Sequence, residues 1–170
     1  MTKTRYASTR MTLTIAALCL GACATAQPVE RSADINVFWP QLRTALLTAD
    51  VDALDDLSLS TTGVPFRFQS LNPENACERR VLKAYLNAKL DHFFERPGGR
   101  SFRSVLENTP TLDLKRNPDV YKNAGDEYSI GLSVRFAKNP VDGAWDVVDM
   151  LDDIDRVFSF SESAGGPKSC

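Results

Sequence analysis

The strongest constraint on the fold lies late in the chain, where YSIGLSVRF (128–136) places an apolar residue at every second position. Successive side chains of a β-strand point to opposite faces, so this alternation predicts a single strand with one buried face. The pairs Asn139-Pro140 and Asp142-Gly143 predict a turn, and AWDVVDML (144–151) predicts a returning strand. We therefore expect an antiparallel hairpin at the centre of a sheet.

Helical patterns dominate the first half of the chain. Apolar residues recur at helical spacing over 38–49, where Asn36 is a possible cap and Pro40 is tolerable only in the first turn. VDALDDLSL (51–59) predicts a second, short helix. The triplet at 72–74 (NPE) predicts the start of a third helix, which should end at the RPGG breaker, 96–99. Residues 64–71 and 111–116 predict strands, whereas 101–107 fit either a strand or a helix.

Helices early and strands late predict an α+β domain, with N-terminal helices packed on a curved antiparallel sheet. FWPQLRTALLTADVDALDDL (38–57) resembles the paired opening helices of the NTF2-like (cystatin-like cone) superfamily. GAWDVVDML (143–151) resembles the strand with which such domains end, so the resemblance spans residues 34–152. It implies a concave pocket between helices and sheet. It implies no particular function, because the superfamily contains enzymes, binding modules and many secreted domains.

The N-terminus resembles a secretory signal. Lys3, Arg5 and Arg10 precede an apolar run over 11–22, which is too short to span a bilayer but typical of a signal peptide. The sequence LGAC (20–23) resembles a bacterial lipobox, which implies a lipid on Cys23. The alternative is ATA (24–26), a site for ordinary signal peptidase that would free a soluble chain beginning at residue 27.

These patterns divide the chain into a signal peptide (1–22, or 1–26 for the alternative cut), a tether (23–33), one α+β domain (34–160) and a flexible tail (161–170). The position of the lipobox at the end of the apolar run, together with Leu20, favours lipidation. Ala24 after the cysteine resembles outer-membrane sorting. We expect a periplasmic protein anchored to the outer membrane, with a soluble periplasmic or secreted chain as the alternative.

Two cysteines, Cys77 and Cys170, remain for the folded domain whichever cut is made. In an oxidising compartment an isolated pair is expected to form a disulfide, and two free thiols are the alternative. Cys77 is a poor candidate for a nucleophile. The only histidine, His92, lies fifteen residues further along the same predicted helix, about 22 Å away along its axis.

The net charge of the mature chain argues against nucleic acid as a partner. Without the signal, 17 basic and 22 acidic residues give a net charge of about −5, which offers no electrostatic footprint for nucleic acid. Six aspartates crowd into 142–155, but their spacing does not match a calcium loop, so no metal site is predicted. We instead expect a solvated acidic edge that discourages strand-to-strand aggregation. No cofactor is implied by any motif.

Catalytic candidates are few. His92 shares a predicted helical face with Tyr85, so either residue could act with a carboxylate in the cone, but a partly exposed histidine near a helix C-terminus is the ordinary interpretation. Aromatic residues could line a ligand pocket, yet a domain of this size needs them for its core. These are Phe38, Trp39, Phe66, Phe68, Phe93, Phe94 and Trp145.

Two functions follow from these patterns. The first is a cell-envelope accessory or binding domain of unknown ligand, held at the membrane by an N-terminal lipid and without catalytic activity. The second is a small NTF2-like periplasmic enzyme, a hydrolase or isomerase, that uses His92 with a carboxylate. The orientation of His92 towards or away from a pocket would discriminate between them.

Overall fold

A computed structural model describes residues 29, 31–58, 71–72, 74–91, 100–131, 134–150 and 154–170. Within these ranges the chain is α+β, as the sequence predicts, with five helices packed with a four-stranded antiparallel sheet. In the same ranges no helix is long and apolar enough to cross a membrane. The predicted signal segment, the predicted continuation of the third helix beyond residue 91 and nearly all of the strand predicted over 64–71 lie outside the described residues.

The first two helices are α1 (Ile35–Thr48) and α2 (Val51–Asp56). The cap of α1 is Asp34, whose carboxylate accepts the backbone N–H of Asn36, so the prediction of Asn36 as the cap is wrong by two residues. Pro40 consequently lies inside the helix, beyond the first turn. Ala49, with φ of 51°, ends α1 in the left-handed conformation, and the adjacent Asp50 caps α2.

The third helix, α3 (Ala76–Leu90), begins slightly later than predicted. Its cap is Asn75, which accepts the backbone N–H groups of Cys77 and Glu78, whereas Asn72 belongs to the turn before it. The ambiguous segment 101–107 contains a helix, α4 (Phe102–Glu107), with Ser101 as its cap. A fifth helix, α5 (Ile154–Ser163), was not predicted, and it packs on α3.

The sheet contains β1 (Val120–Lys122), β2 (Glu127–Ile130), β3 (Val134–Lys138) and β4 (Trp145–Met150), in that order. The prediction that 128–136 forms one strand is wrong. Gly131 takes a φ of 56° and turns the chain, so that Ile130 pairs with Val134 in an antiparallel hairpin. The predicted turn over 139–143 and the returning strand are confirmed, because β4 pairs with β3, but this hairpin lies at one edge of the sheet and not at its centre.

The strand predicted over 111–116 is also wrong. Asp113 accepts the backbone N–H of Lys115 with its side chain and those of Arg116 and Asn117 with its carbonyl, which makes a turn. An aspartate that bonds to the backbone ahead of it competes with a sheet ladder, and none of the described strands pairs with this segment. The chain enters the sheet only at β1.

Hairpin connectivity places two turns at one end of the sheet. Residues 123–126 join β1 to β2 and residues 139–144 join β3 to β4, while Gly131 lies at the opposite end. We call the end of the sheet that carries these two turns the two-turn end. The outer edge of β4 is covered, since Trp145 donates its backbone N–H to the carbonyl of Ser32 and Val147 donates to that of Leu57.

Candidate functional site

Tyr85, one of the two catalytic candidates, lies in the core. It belongs to α3, has no exposed surface, and its ring centroid is 6.1 Å from that of Phe160 on α5. A general acid or base must reach a substrate, so Tyr85 in this position contributes packing area and not accessible chemistry. His92, the other candidate, lies outside the described residues, and its pairing with a carboxylate stays a prediction.

The aromatic residues between α1 and the sheet pack against one another. Phe38 of α1 lies 6.0 Å from Phe136 and 6.3 Å from Trp145, measured between ring centroids, and Tyr128 lies 6.1 Å from Phe136. Phe38, Trp39, Phe136 and Trp145 are all buried. These side chains belong to the hydrophobic core of the described residues, and their contacts account for them as packing residues. The other aromatic candidates, Phe66, Phe68, Phe93 and Phe94, lie outside the described ranges.

The predicted pairing of Cys77 with Cys170 is present, with a Cα–Cα distance of 5.9 Å. The bond joins the first turn of α3 to the last residue of the chain. The predicted tail at 161–170 therefore begins inside α5 and returns along α3. A glycine is needed at position 166, where the C-terminal segment meets α3, because a Cβ built on Gly166 would lie 2.5 Å from the Cβ of Ala84. The disulfide and this close approach hold the C-terminal segment on α3.

A groove of about 530 Å³ lies where the C-terminal segment crosses α3. Exposed Arg80 and Lys83 stand on one side of it with Asn87, and the backbone of 164–167 forms the other side. The cations give the groove a positive lining on a domain that is acidic as a whole. The groove-lining residues that the structure describes include no histidine, cysteine, serine or carboxylate, and their charged side chains are the two cations.

A second polar site lies at the two-turn end, and Arg31 is its centre. The guanidinium of Arg31 donates to both carboxylate oxygens of Asp146, one of them at 3.0 Å, and to Asp142 at 2.9 Å. Asn139 donates its side-chain N–H to the same Asp146 at 3.0 Å. The side chain of Asp146 is only 6% exposed and that of Arg31 is 16% exposed. We call these four residues the Arg31 cluster.

The electrostatics of the Arg31 cluster follow from these bonds. The hydrogen bond to Asp146 raises the pKa of Arg31 above its ordinary value. The backbone N–H of Ala144 and the Arg31 guanidinium lower the pKa of Asp142. Both groups are therefore held in their charged forms. These bonds hold the segment before α1, residues 29–34, which we call the arm, against the β3–β4 turn and the start of β4.

The acidic segment at 142–155, predicted to be a solvated edge, is solvated only in part within the described residues, where Asp142 and Asp155 are exposed. Asp146 is buried in the Arg31 cluster, and Asp149 accepts a hydrogen bond from Arg135 at 2.8 Å. Charge counting along the sequence misses this arrangement because both arginines come from other segments of the chain. One sequence signal is available for it: aspartates four apart around a Gly-containing turn present two carboxylates to one cation.

Part of the segment predicted as a tether, residues 23–33, makes contacts with the folded domain. Val29 packs on the hydrophobic core, Arg31 joins the Arg31 cluster, and Ser32 accepts a hydrogen bond from Trp145. These contacts show that residues 29, 31 and 32 of the predicted tether pack against the domain. No protein-family model, curated protein or solved structure matches this chain.

Proposed function

We propose that this protein is a cell-envelope accessory or binding domain that is held at the periplasmic face of a membrane by a lipid on Cys23. The observation that carries the proposal is the LGAC sequence at the end of the apolar run. The disulfide between Cys77 and Cys170 supports it, because such bonds persist in oxidising compartments. Under this proposal the outer membrane is the site of attachment, as Ala24 suggests.

The binding role is supported by what the described surface offers. Tyr85 is buried, the aromatic side chains pack as a core, and the groove beside α3 presents two cations without a catalytic group. An anionic ligand, or an acidic segment of a partner protein, matches that lining by charge. No observation favours the enzyme alternative over this function.

The decisive experiment is mass spectrometry of the mature N-terminus. The full chain is expressed in a bacterium with a lipoprotein-processing pathway and purified from the membrane fraction in detergent. We expect an N-terminal Cys23 that carries acyl chains and a membrane location. An unmodified or cyclised Gln27 at the N-terminus would show that ordinary signal peptidase cuts the chain, and the lipid anchor would be withdrawn.

Two cysteine variants sharpen the test. Cys23→Ala removes the acceptor and should abolish incorporation of a labelled fatty acid. Cys19→Ala changes the neighbouring cysteine within the signal and should leave incorporation unchanged. Equal loss in both variants would contradict attachment at Cys23.

A further inference from the structure

The arm before α1 limits the distance between the domain and a lipid anchor. Val29 is already packed on the core, so only six residue steps separate it from Cys23. A fully extended chain spans about 3.3–3.6 Å per residue, which limits this connection to about 20–22 Å. A domain of about 140 residues has a radius of gyration near 14.5 Å and is therefore about 37 Å across. The connection is shorter than the domain.

From this mismatch we propose that the two-turn end of the sheet faces the bilayer whenever Cys23 is lipidated. The arm meets the domain at the start of β4, where Trp145 binds Ser32 and Asp146 binds Arg31. If the domain turned this end away from the membrane, the arm would have to reach around the whole domain, a length that it does not have. The inference rests on the proposed function, since it requires a lipid on Cys23.

The chemistry of the two-turn end suits a headgroup surface. Val141, at the tip of the β3–β4 turn, is 82% exposed. The nearby charges balance, because the cations Arg31, Lys122 and Lys138 match the anions Asp126, Asp142 and Asp146 in number. Balanced charges give no net repulsion from an anionic bilayer, and an exposed valine gains from contact with the interface. The occupant of this surface is therefore the lipid bilayer that holds the anchor.

The test measures the depth of three surface positions. Single variants Val141→Cys, Ala124→Cys and Arg116→Cys of the full chain are labelled with a fluorophore after lipidation, with the native disulfide intact. Each is reconstituted into phosphatidylethanolamine–phosphatidylglycerol vesicles that contain a headgroup-labelled quenching lipid. Val141 and Ala124 lie in the two turns, and Arg116 lies in the loop that leads into the opposite end of β1. All three positions are exposed, so the substitutions should leave the fold intact.

We expect quenching at 141 to exceed that at 116 by at least about twofold, because strands of five or six residues separate the two ends of the sheet by about 17–20 Å. The value at 124 should lie nearer to that at 141. A matched variant with a twenty-residue Gly/Ser insertion between Gln27 and Pro28 gives the connection a reach greater than the domain, so its three values should converge. Equal quenching at 116 and 141 in the original chain would overturn the orientation. A contrast that survives the insertion would show that the arm is not its cause.

The same samples separate the two proposals. The mass of the reconstituted protein reports whether Cys23 carries lipid, independently of quenching. A lipidated chain without a positional contrast removes the orientation alone, whereas a chain that begins at Gln27 removes the anchor and the orientation together.

Discussion

Arg31→Ala should be among the most damaging single substitutions on the surface of this protein. The change leaves the carboxylate of Asp146 buried, with its two bonds to the guanidinium gone. Removing one partner of a buried ion pair costs about 3–5 kcal/mol. The remaining bond from Asn139 and the partial exposure of Arg31 reduce this cost to about 2–4 kcal/mol in the free energy of unfolding.

The assay is urea unfolding at pH 7 with the disulfide intact, and a second substitution isolates the cause. Asp146→Asn added to Arg31→Ala removes the stranded charge and keeps an acceptor for Asn139, so the double variant should be about 1–2 kcal/mol more stable than Arg31→Ala alone. Arg116→Ala is the matched control. Its side chain is 88% exposed and lies 3.9 Å from Asp113, so it should cost less than about 0.5 kcal/mol. Equal unfolding midpoints for Arg31→Ala and Arg116→Ala would refute the reasoning.

Three further predictions follow from burial, packing and covalent linkage. Burial, followed by the charges of Asp56 and Asp52, raises the pKa of Asp55. The folded protein therefore binds this proton more tightly than the unfolded chain does, and the free energy of unfolding falls as the pH rises from 3.8 through the raised pKa. Asp55→Asn should unfold at a higher urea concentration than the unsubstituted protein at pH 7 and at the same concentration below pH 3. Gly166→Ala forces a methyl group against Ala84 and should lower the free energy of unfolding by about 1–3 kcal/mol in the same assay, and an unchanged midpoint would contradict the close approach. Cys170→Ser opens a loop with a sequence separation of 93 and should cost at most about 4–5 kcal/mol, and protease digestion should then release C-terminal peptides that the oxidised chain protects.

The central hairpin shows why a correct pattern gave a wrong element. Ile130 pairs with Val134 across the turn, and three residues lie between them. An odd number keeps the alternation of faces in step, so the period of two continues through the reversal as if one strand were present. Only Gly131, with its positive φ, distinguished the turn, and it occupied a position where a small residue also suits a polar face.

Local patterns predicted the helices better than the contacts that hold the domain together. Apolar spacing is sufficient to find α1 to α3, because each helix buries one stripe of its own residues. The Arg31 cluster joins residues more than 100 positions apart, and no periodicity records such a pair. The groove likewise depends on the disulfide, which brings 164–167 over α3. Pairing the cysteines predicted that contact in outline but not the two cations beside it.

The stability of the Arg31 cluster and the orientation of the anchored domain are coupled, and the coupling gives a final prediction. If Arg31→Ala frees the arm, the connection from Cys23 extends to the start of α1 at Ile35, twelve residue steps away. Its reach then rises to about 40–43 Å, which exceeds the domain diameter of about 37 Å. In lipid vesicles, Arg31→Ala should therefore reduce the difference in quenching between labels at 141 and 116, as the inserted linker does.

Arg103→Ala provides the matched control for this coupling. Arg103 bonds Asp91, the residue that caps the C-terminal end of α3. Neither residue belongs to the arm, so the substitution should preserve the difference in quenching. The hydrogen bond between Trp145 and Ser32 remains in Arg31→Ala and opposes release of the arm. If that bond alone fixes the arm, the full contrast persists in Arg31→Ala although the domain is less stable. Such a result would assign the orientation to the backbone contact with β4, and the ion pairs of the Arg31 cluster would then contribute to stability alone.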